Sequence, residues 1–144
     1  MERRYQGDVT PEEAWKTLAG EPGALLVDVR TTAEWTYVGL PDLSAIGVPF
    51  IRVEWQTFPG GQVNAEFVGT LDDALKAEGA DRDTPIFFMC RSGVRSAAAA
   101  AAMTAAGYSR CYNVAGGFEG KPDDKRHRGR VNGWKAADLP WVQS

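Results

Sequence analysis

Residues 85–96 read Pro-Ile-Phe-Phe-Met-Cys-Arg-Ser-Gly-Val-Arg-Ser, and an alanine-rich stretch follows directly. No other segment constrains the fold as tightly. The apolar run predicts a buried strand that ends at Cys90. A short polar loop turns, and a helix begins near Arg95. Eight alanines between Ala97 and Ala106 favour that helix and let it lie close on a sheet. The layout aims backbone N–H groups and the positive end of a helix dipole at one sulfur atom. Arg91 and Arg95 add full positive charge in the same loop. Surroundings of this kind favour a nucleophilic thiolate, and they set Cys90 apart from a cysteine that only fills space.

The rest of the chain supplies a matching frame. Thr10-Pro11-Glu12-Glu13 is a capping box with proline at the first helical position. It predicts a helix to about Ala19 with Ala14, Trp15 and Leu18 on one face. Ala24 to Val29 is a continuous apolar run, which suits a strand buried on both sides of a parallel sheet. Thr31-Thr32-Ala33-Glu34 is a second capping box. Leu40 to Ser44 reads as loop. Ile46 to Ile51 reads as a short strand, with Pro49 at an edge or a strand end. Phe58-Pro59-Gly60-Gly61 reads as a turn. Asn64 is placed to cap a helix in which Phe67, Leu71 and Leu75 recur every four residues. Gly107 is placed to end the alanine-rich helix, and Tyr108 to Val114 reads as a further strand. This alternation predicts an α/β fold with a mostly parallel sheet. Ligands of such folds sit at the carboxyl ends of strands, where Cys90 lies.

Composition narrows the function classes. A length of 144 residues suits one domain, and a net charge of −3 argues against general nucleic-acid binding and against docking on acidic membranes. No apolar run reaches the length of a membrane span. Met1 to Tyr5 lacks the apolar stretch of a signal peptide, so a cytoplasmic location is expected. The two cysteines, Cys90 and Cys111, are too far apart for a CxxC pair, and with His127 as the single histidine they form no zinc-ligand pattern. No metal and no cofactor are expected.

Five ordered pieces carry a family resemblance: Leu26-Val27-Asp28-Val29-Arg30, Glu34-Trp35, the loop Cys90 to Ser96, Asn113-Val114-Ala115-Gly116-Gly117, and Trp134 with Leu139-Pro140. The chain resembles a single rhodanese-like (thiosulfate sulfurtransferase-like) domain. One departure stands out. The family usually has a Gly-His-Ile-Pro-Gly-Ala segment where this chain reads Gly39-Leu40-Pro41-Asp42-Leu43-Ser44-Ala45. The resemblance implies a central, mostly parallel five-stranded sheet with helices on both faces. It implies one domain over 1–144, with a core at about 9–141 and an extended loop at 119–133.

The resemblance also implies chemistry. Cys90 is the catalytic residue, and Arg91, Ser92, Gly93, Val94, Arg95 and Ser96 form the substrate-binding loop. The thiolate takes a sulfane sulfur from a donor such as thiosulfate and holds it as a persulfide. Cyanide or a thiol then removes it, in covalent, ping-pong catalysis. Four residues separate Cys90 from Arg95, whereas phosphatases of related fold place five there. The shorter loop suits one bound sulfur better than a tetrahedral phosphate. Family members that use 3-mercaptopyruvate tend to carry a small residue after the cysteine, so Arg91 implies an anionic donor. Arg91 is the expected donor contact, and Arg95 is expected partly to shape the loop. The alternative is a persulfide carrier that takes sulfur from a partner protein, with little turnover of free thiosulfate. The basic segment 121–130 and the apolar segment around Trp55 and Phe58 motivate it.

Other residues read more plainly. Asp28, Arg30 and Glu34 are expected to brace the loop from behind. Trp35 and Trp55 are candidates for the pocket rim. Cys111 reads as a small core residue, Arg52 and Glu54 as surface residues, and Trp134 and Trp141 as tail anchors. Lys121 to Arg130 holds five basic residues and His127 against Asp123 and Asp124. It reads as a solvated loop, with His127 outside the chemistry.

Overall fold

The structure is a computed structural model, and it describes residues 4–57 and 60–143. In chain order the elements are β1 (Gly7–Val9), α1 (Pro11–Gly20), β2 (Leu25–Asp28), α2 (Thr32–Tyr37) and β3 (Leu40–Pro41). A 3₁₀ turn at Ser44–Ile46 precedes β4 (Phe50–Arg52) and α3 (Phe67–Ala77). Then come β5 (Ile86–Met89), α4 (Val94–Ala105), β6 (Cys111–Val114) and β7 (Trp141–Val142). Five strands form a sheet in the order β1-β6-β5-β2-β4, and every pairing in it is parallel.

Both capping boxes form. Thr10 Oγ1 accepts from Glu13 N while Glu13 Oε1 accepts from Thr10 N. Thr31 and Glu34 repeat the exchange at the start of α2. Satisfying these first-turn N–H groups fixes where each helix begins.

Side-chain alternation along the strands explains the two helical layers. Leu25 and Val27 of β2 join Ile86 and Phe88 of β5 on one face, against Phe67, Leu71 and Leu75 of α3 and Ala99, Ala100 and Met103 of α4. Leu26, Phe87 and Met89 point the other way, onto Ala14 and Leu18 of α1 and onto Phe118 and Trp134. All four residues of β2 and of β5 are buried, and burying each large apolar side chain is worth roughly 1.5–3 kcal/mol. The central strands therefore sit where both faces are covered, and their carboxyl ends open at one edge.

Several boundaries differ from the sequence expectation. Ile46 belongs to the 3₁₀ turn, and the edge strand starts only at Phe50, after Pro49. Leu40 and Pro41 are not loop. They pair antiparallel with Val142 and Trp141, a contact between distant segments that no local pattern encodes. The strand expected from Tyr108 begins at Cys111, because Tyr108 N donates to Met103 O at the end of α4 and Ser109 N to Arg82 O, outside the strand ladder. Asn64 lies ahead of α3. Its Oδ1 accepts from Glu66 N at 3.1 Å and its Nδ2 donates to Glu54 O at 3.0 Å. Phe58 and Pro59 lie outside the described residues.

The tail closes over the α1 side of the sheet. Trp134 is fully buried, donates Nε1–H to Pro140 O at 2.8 Å and meets Trp15 edge-on at 5.9 Å. Lys135 Nζ sits 4.1 Å from the Trp141 ring and donates to Val38 O. Residues 119–133 form turns and bends without helix or strand.

Candidate active site

Cys90 follows β5 directly, and α4 begins four residues later. Gly93 makes the turn between them with φ of 112°, a backbone angle that side chains disfavour. That turn brings Gly93 N–H to 3.1 Å from Cys90 Sγ. The Ser96 hydroxyl, one turn into the helix and fully buried, lies 3.2 Å from the same sulfur. Cys90 itself is 1% exposed. The sulfur thus sits against one backbone N–H and one hydroxyl at the positive end of a 12-residue helix.

Gly117 holds the loop from the far side. A Cβ there would lie 2.4 Å from Cys90 O and 2.7 Å from the Arg91 carbonyl carbon. The close approach lets Phe118 N donate to Cys90 O at 2.8 Å, and Glu119 N and Gly120 N to Arg91 O at 3.0 and 3.1 Å. These bonds tie both carbonyls at the start of the loop to the segment after β6.

Asp28 and Arg30 lie behind this segment. Arg30 Nη2 meets Asp28 Oδ2 at 2.7 Å with both side chains fully buried. Arg30 also donates to Gly39 O at 2.8 Å. Its guanidinium covers the Phe118 ring at 4.3 Å. The pair thus backs Phe118, whose N–H holds Cys90 O.

Glu34 has two tasks. Its Oε1 accepts from Thr31 N within the cap, and the carboxylate also takes Arg95 Nη1 at 2.7 Å and Nη2 at 2.9 Å. Burial pushes the Glu34 carboxyl up, but the Arg95 and Thr31 hydrogen bonds outweigh it and hold the group below the usual value. Hydrogen bonding to Glu34 raises Arg95 against the effect of burial, and the negative charge of Glu34 adds to the rise.

A cavity of about 580 Å³ opens beside the loop. Arg91 and Arg95 line it with Thr31, Ala33, Glu34 and Val38 from the α2 side, Gln56, Thr57 and Gly61 from beyond β4, and Glu119. Arg95 has both terminal nitrogens on Glu34, while Arg91 is exposed and has no ion-pair partner among the described residues. Glu119 on the wall is a second carboxylate that the loop sequence did not announce.

The chain belongs to the rhodanese-like domain family. The family model described as a Rhodanese-like domain matches residues 10–120. The crystal structure of Rv0390 from M. tuberculosis superposes with a TM-score of 0.87 at 47% identity, covering 97% of this chain and 99% of that one. An uncharacterized protein of Rickettsia conorii is 38% identical over 134 residues, 93% of this chain and 95% of the relative. A thiosulfate sulfurtransferase of Actinobacillus succinogenes is 29% identical over 133 residues, 92% of this chain and 87% of the relative. The five-stranded parallel sheet with helices on both faces is the rhodanese-like architecture expected from the motifs.

The rhodanese-like loop gathers Cys90, Gly93, Arg95 and Ser96 with Glu34, Asp28 and Arg30 behind it. Ser92 and Val94 are in the loop but bond nothing at the sulfur, and Val94 is 79% exposed. The two rim tryptophans are corrected. Trp55 packs edge-on against Phe67 at 5.0 Å and lines a different hollow with Ala98, Ala101 and Ala102. Trp35 lies under Arg52, whose guanidinium carbon is 5.5 Å from the ring, and it is absent from the described cavity lining. Glu54 is half-buried, not a plain surface residue, because its Oε2 accepts from Thr32 N at 2.8 Å.

Cys111 is fully buried at the start of β6, where burial pushes its thiol up to about 11. It pairs in register with Ile86, four residues before Cys90. At ~3.3 Å per strand residue Cys90 lies about 13 Å further along the sheet than Cys111, beyond the reach of a disulfide. His127 is exposed on the 121–130 segment. Among the described residues no cluster has the make-up of a metal site, and no helix is long and apolar enough to cross a membrane.

Sequence reading missed Asn113 as more than a motif letter. Its side chain bonds Ser96, Gly93 and Asp8. A lone amide in an otherwise apolar buried strand was the available signal.

Proposed function

We propose that the chain is a sulfurtransferase that carries a sulfane sulfur on Cys90. One observation carries this reading. A thiol at a strand end has a backbone N–H and a hydroxyl within 3.2 Å of its sulfur, at the start of a helix and beside a cavity bearing Arg91. The relatedness to a thiosulfate sulfurtransferase supports the same chemistry.

The Cys90 thiolate attacks the outer sulfur of thiosulfate. A new S–S bond forms, the donor's S–S bond breaks, and its electron pair leaves with sulfite. Cys90 now holds a persulfide whose outer sulfur carries the negative charge. Cyanide or a thiolate attacks that outer sulfur and restores the Cys90 thiolate. Arg91 binds the donor's sulfonate oxygens by charge-assisted hydrogen bonds. Arg95, with Nη1 and Nη2 on Glu34, shapes the loop. No cofactor takes part. The whole chain, 1–144, acts as one domain, and free thiols at Cys90 and Cys111 suit a reducing, cytoplasmic setting.

The test is incubation with thiosulfate followed by mass spectrometry of the Cys90 peptide and thiocyanate release on adding cyanide. One added sulfur on Cys90, absent in Cys90→Ser, is the expected result. An unmodified Cys90 peptide, or full activity in Cys90→Ser, sinks the proposal.

A persulfide carrier loaded by another protein is the second reading. The cavity wall favours it on one count: Glu34 and Glu119 stand against Arg91 and Arg95, which weakens a site for a free dianion. Faster loading of Cys90 by a persulfide-bearing protein than by thiosulfate would select it.

A further inference from the structure

Asn113 of β6 is 6% exposed and sends its amide toward the Cys90 loop. Nδ2 donates to Asp8 Oδ1 at 3.0 Å and to Gly93 O at 3.2 Å. Both partners are oxygens that accept, one from a carboxylate and one from a peptide carbonyl. Turning the amide over would set Oδ1 against those two oxygens. The amide therefore has one orientation, and Oδ1 faces Ser96 Oγ at 2.6 Å. Oδ1 only accepts, so Ser96 is the donor across this contact.

A hydroxyl has one proton. With that proton on Asn113, Ser96 presents oxygen lone pairs to Cys90 Sγ at 3.2 Å. Lone pairs receive a thiol proton and oppose a thiolate. Gly93 N–H, at 3.1 Å, is then the donor that meets the sulfur anion. The other charged groups around the loop are Arg91, next to Cys90 in the chain, Arg95 of α4, with Glu34 of α2 paired to it and Asp28 of β2 acting on it, and Glu119 on the cavity wall. Asp8, after Gly7 in β1, holds the amide and also accepts from the Tyr5 hydroxyl at 2.8 Å.

We propose that Asn113 is a positioning residue that points the Ser96 proton away from Cys90, so that Ser96 accepts from the resting thiol instead of donating to the thiolate. The inference rests on the reading of Cys90 as the nucleophile and deepens it. In the persulfide the charge sits on the outer sulfur, about 2 Å along the S–S bond. The Ser96 lone pairs therefore oppose the empty thiolate more than the loaded persulfide, and the pair biases Cys90 toward the loaded state.

Thiolate absorbance in the ultraviolet, followed across pH with Cys90→Ser as blank, tests this in four chains: native, Asn113→Leu, Ser96→Ala and the double variant. Removing the amide frees the Ser96 proton for the sulfur. Asn113→Leu is expected to lower the midpoint, with roughly tenfold more thiolate at a given pH, and to leave the midpoint unmoved when Ser96 is already alanine. No shift, an upward shift, or the same shift in both backgrounds overturns the proposal. Ser96→Ala alone decides the matter if the Asn113 variant does not fold. A midpoint that rises shows Ser96 donating to the native thiolate, one that does not move shows no effect of Ser96 on the sulfur, and either overturns the proposal; a midpoint that falls upholds it. The titration uses no sulfur donor, so its outcome is separate from whether thiosulfate loads Cys90.

Discussion

Glu34 of α2 and Arg95 of α4 meet in a two-point ion pair of 2.7 and 2.9 Å, with each side chain 20% exposed. The pair locks the helix that follows Cys90 to the helix that follows β2. Glu34→Gln keeps the cap acceptor but removes the charge, so it is expected to cost about 1–3 kcal/mol at pH 7. The Glu34 carboxyl is held below its usual value, so its stabilisation is complete above about 4.5 and is lost as pH falls through the lowered folded value. Urea titrations of native and Glu34→Gln chains should therefore differ at pH 7 and converge in acid. A difference that grows in acid would mean the opposite sign.

Gly117→Ala is expected to fail more severely than its size suggests. The added Cβ would overlap Cys90 O and the Arg91 carbonyl, at a φ of 60° that already disfavours alanine. The loop must move or the protein must lose several kcal/mol, roughly 2–4. Thermal midpoint and Cys90 persulfide loading should fall together. An alanine variant with native values in both would remove Gly117 from the support of the loop.

The contrast between these two sites shows what the sequence makes legible. Glu34 was readable as a cap partner because capping is local, three residues from Thr31. Its bond to Arg95 spans 61 residues and depends on how α2 and α4 pack. Likewise the apolar runs of β2 and β5 announced a doubly covered sheet, and Cys90 followed from a strand end and a helix start. Glu119 on the cavity wall, the β3–β7 pairing and the three bonds of Asn113 come from long-range packing. The rim assigned to Trp35 and Trp55 failed for the same reason: burial of an aromatic is easy to anticipate, but its direction is set by neighbours such as Phe67 and Arg52.

Asp28 and Arg30 make a buried pair in which each partner compensates the other. Asp28→Ala leaves the Arg30 charge buried without its carboxylate, and such losses cost about 3–5 kcal/mol. Denaturation should show this cost, and Arg30→Met in the Asp28→Ala background should recover part of it. A loss below about 1 kcal/mol would mean that water reaches the site.

Cys111 is expected to stay silent. Its thiol, pushed up to about 11 by burial, is almost entirely protonated at pH 7. Iodoacetamide followed by peptide mapping should label Cys90 first, and Cys111→Ala should keep persulfide loading at Cys90. Loss of loading in that variant, with folding intact, would give Cys111 a part in the transfer that its distance from Cys90 argues against.

Arg91 is the loop arginine free to meet a donor. It is exposed on the cavity wall and holds no carboxylate among the described residues, whereas Arg95 is held by Glu34. Arg91→Ala should leave stability within about 0.5 kcal/mol of native, as expected for an exposed side chain. If Arg91 holds the sulfonate of thiosulfate, the variant should lose roughly tenfold or more in kcat/KM, the loss of one charge-assisted contact. The loss should appear mainly as a raised KM, because the sulfonate is bound before and during attack. Loading by an uncharged or protein-borne persulfide should be less affected. Equal losses for both donors would move Arg91 from donor binding to loop structure. An unchanged KM for thiosulfate would leave Gly93 N–H and the α4 dipole as the groups that attract the anion.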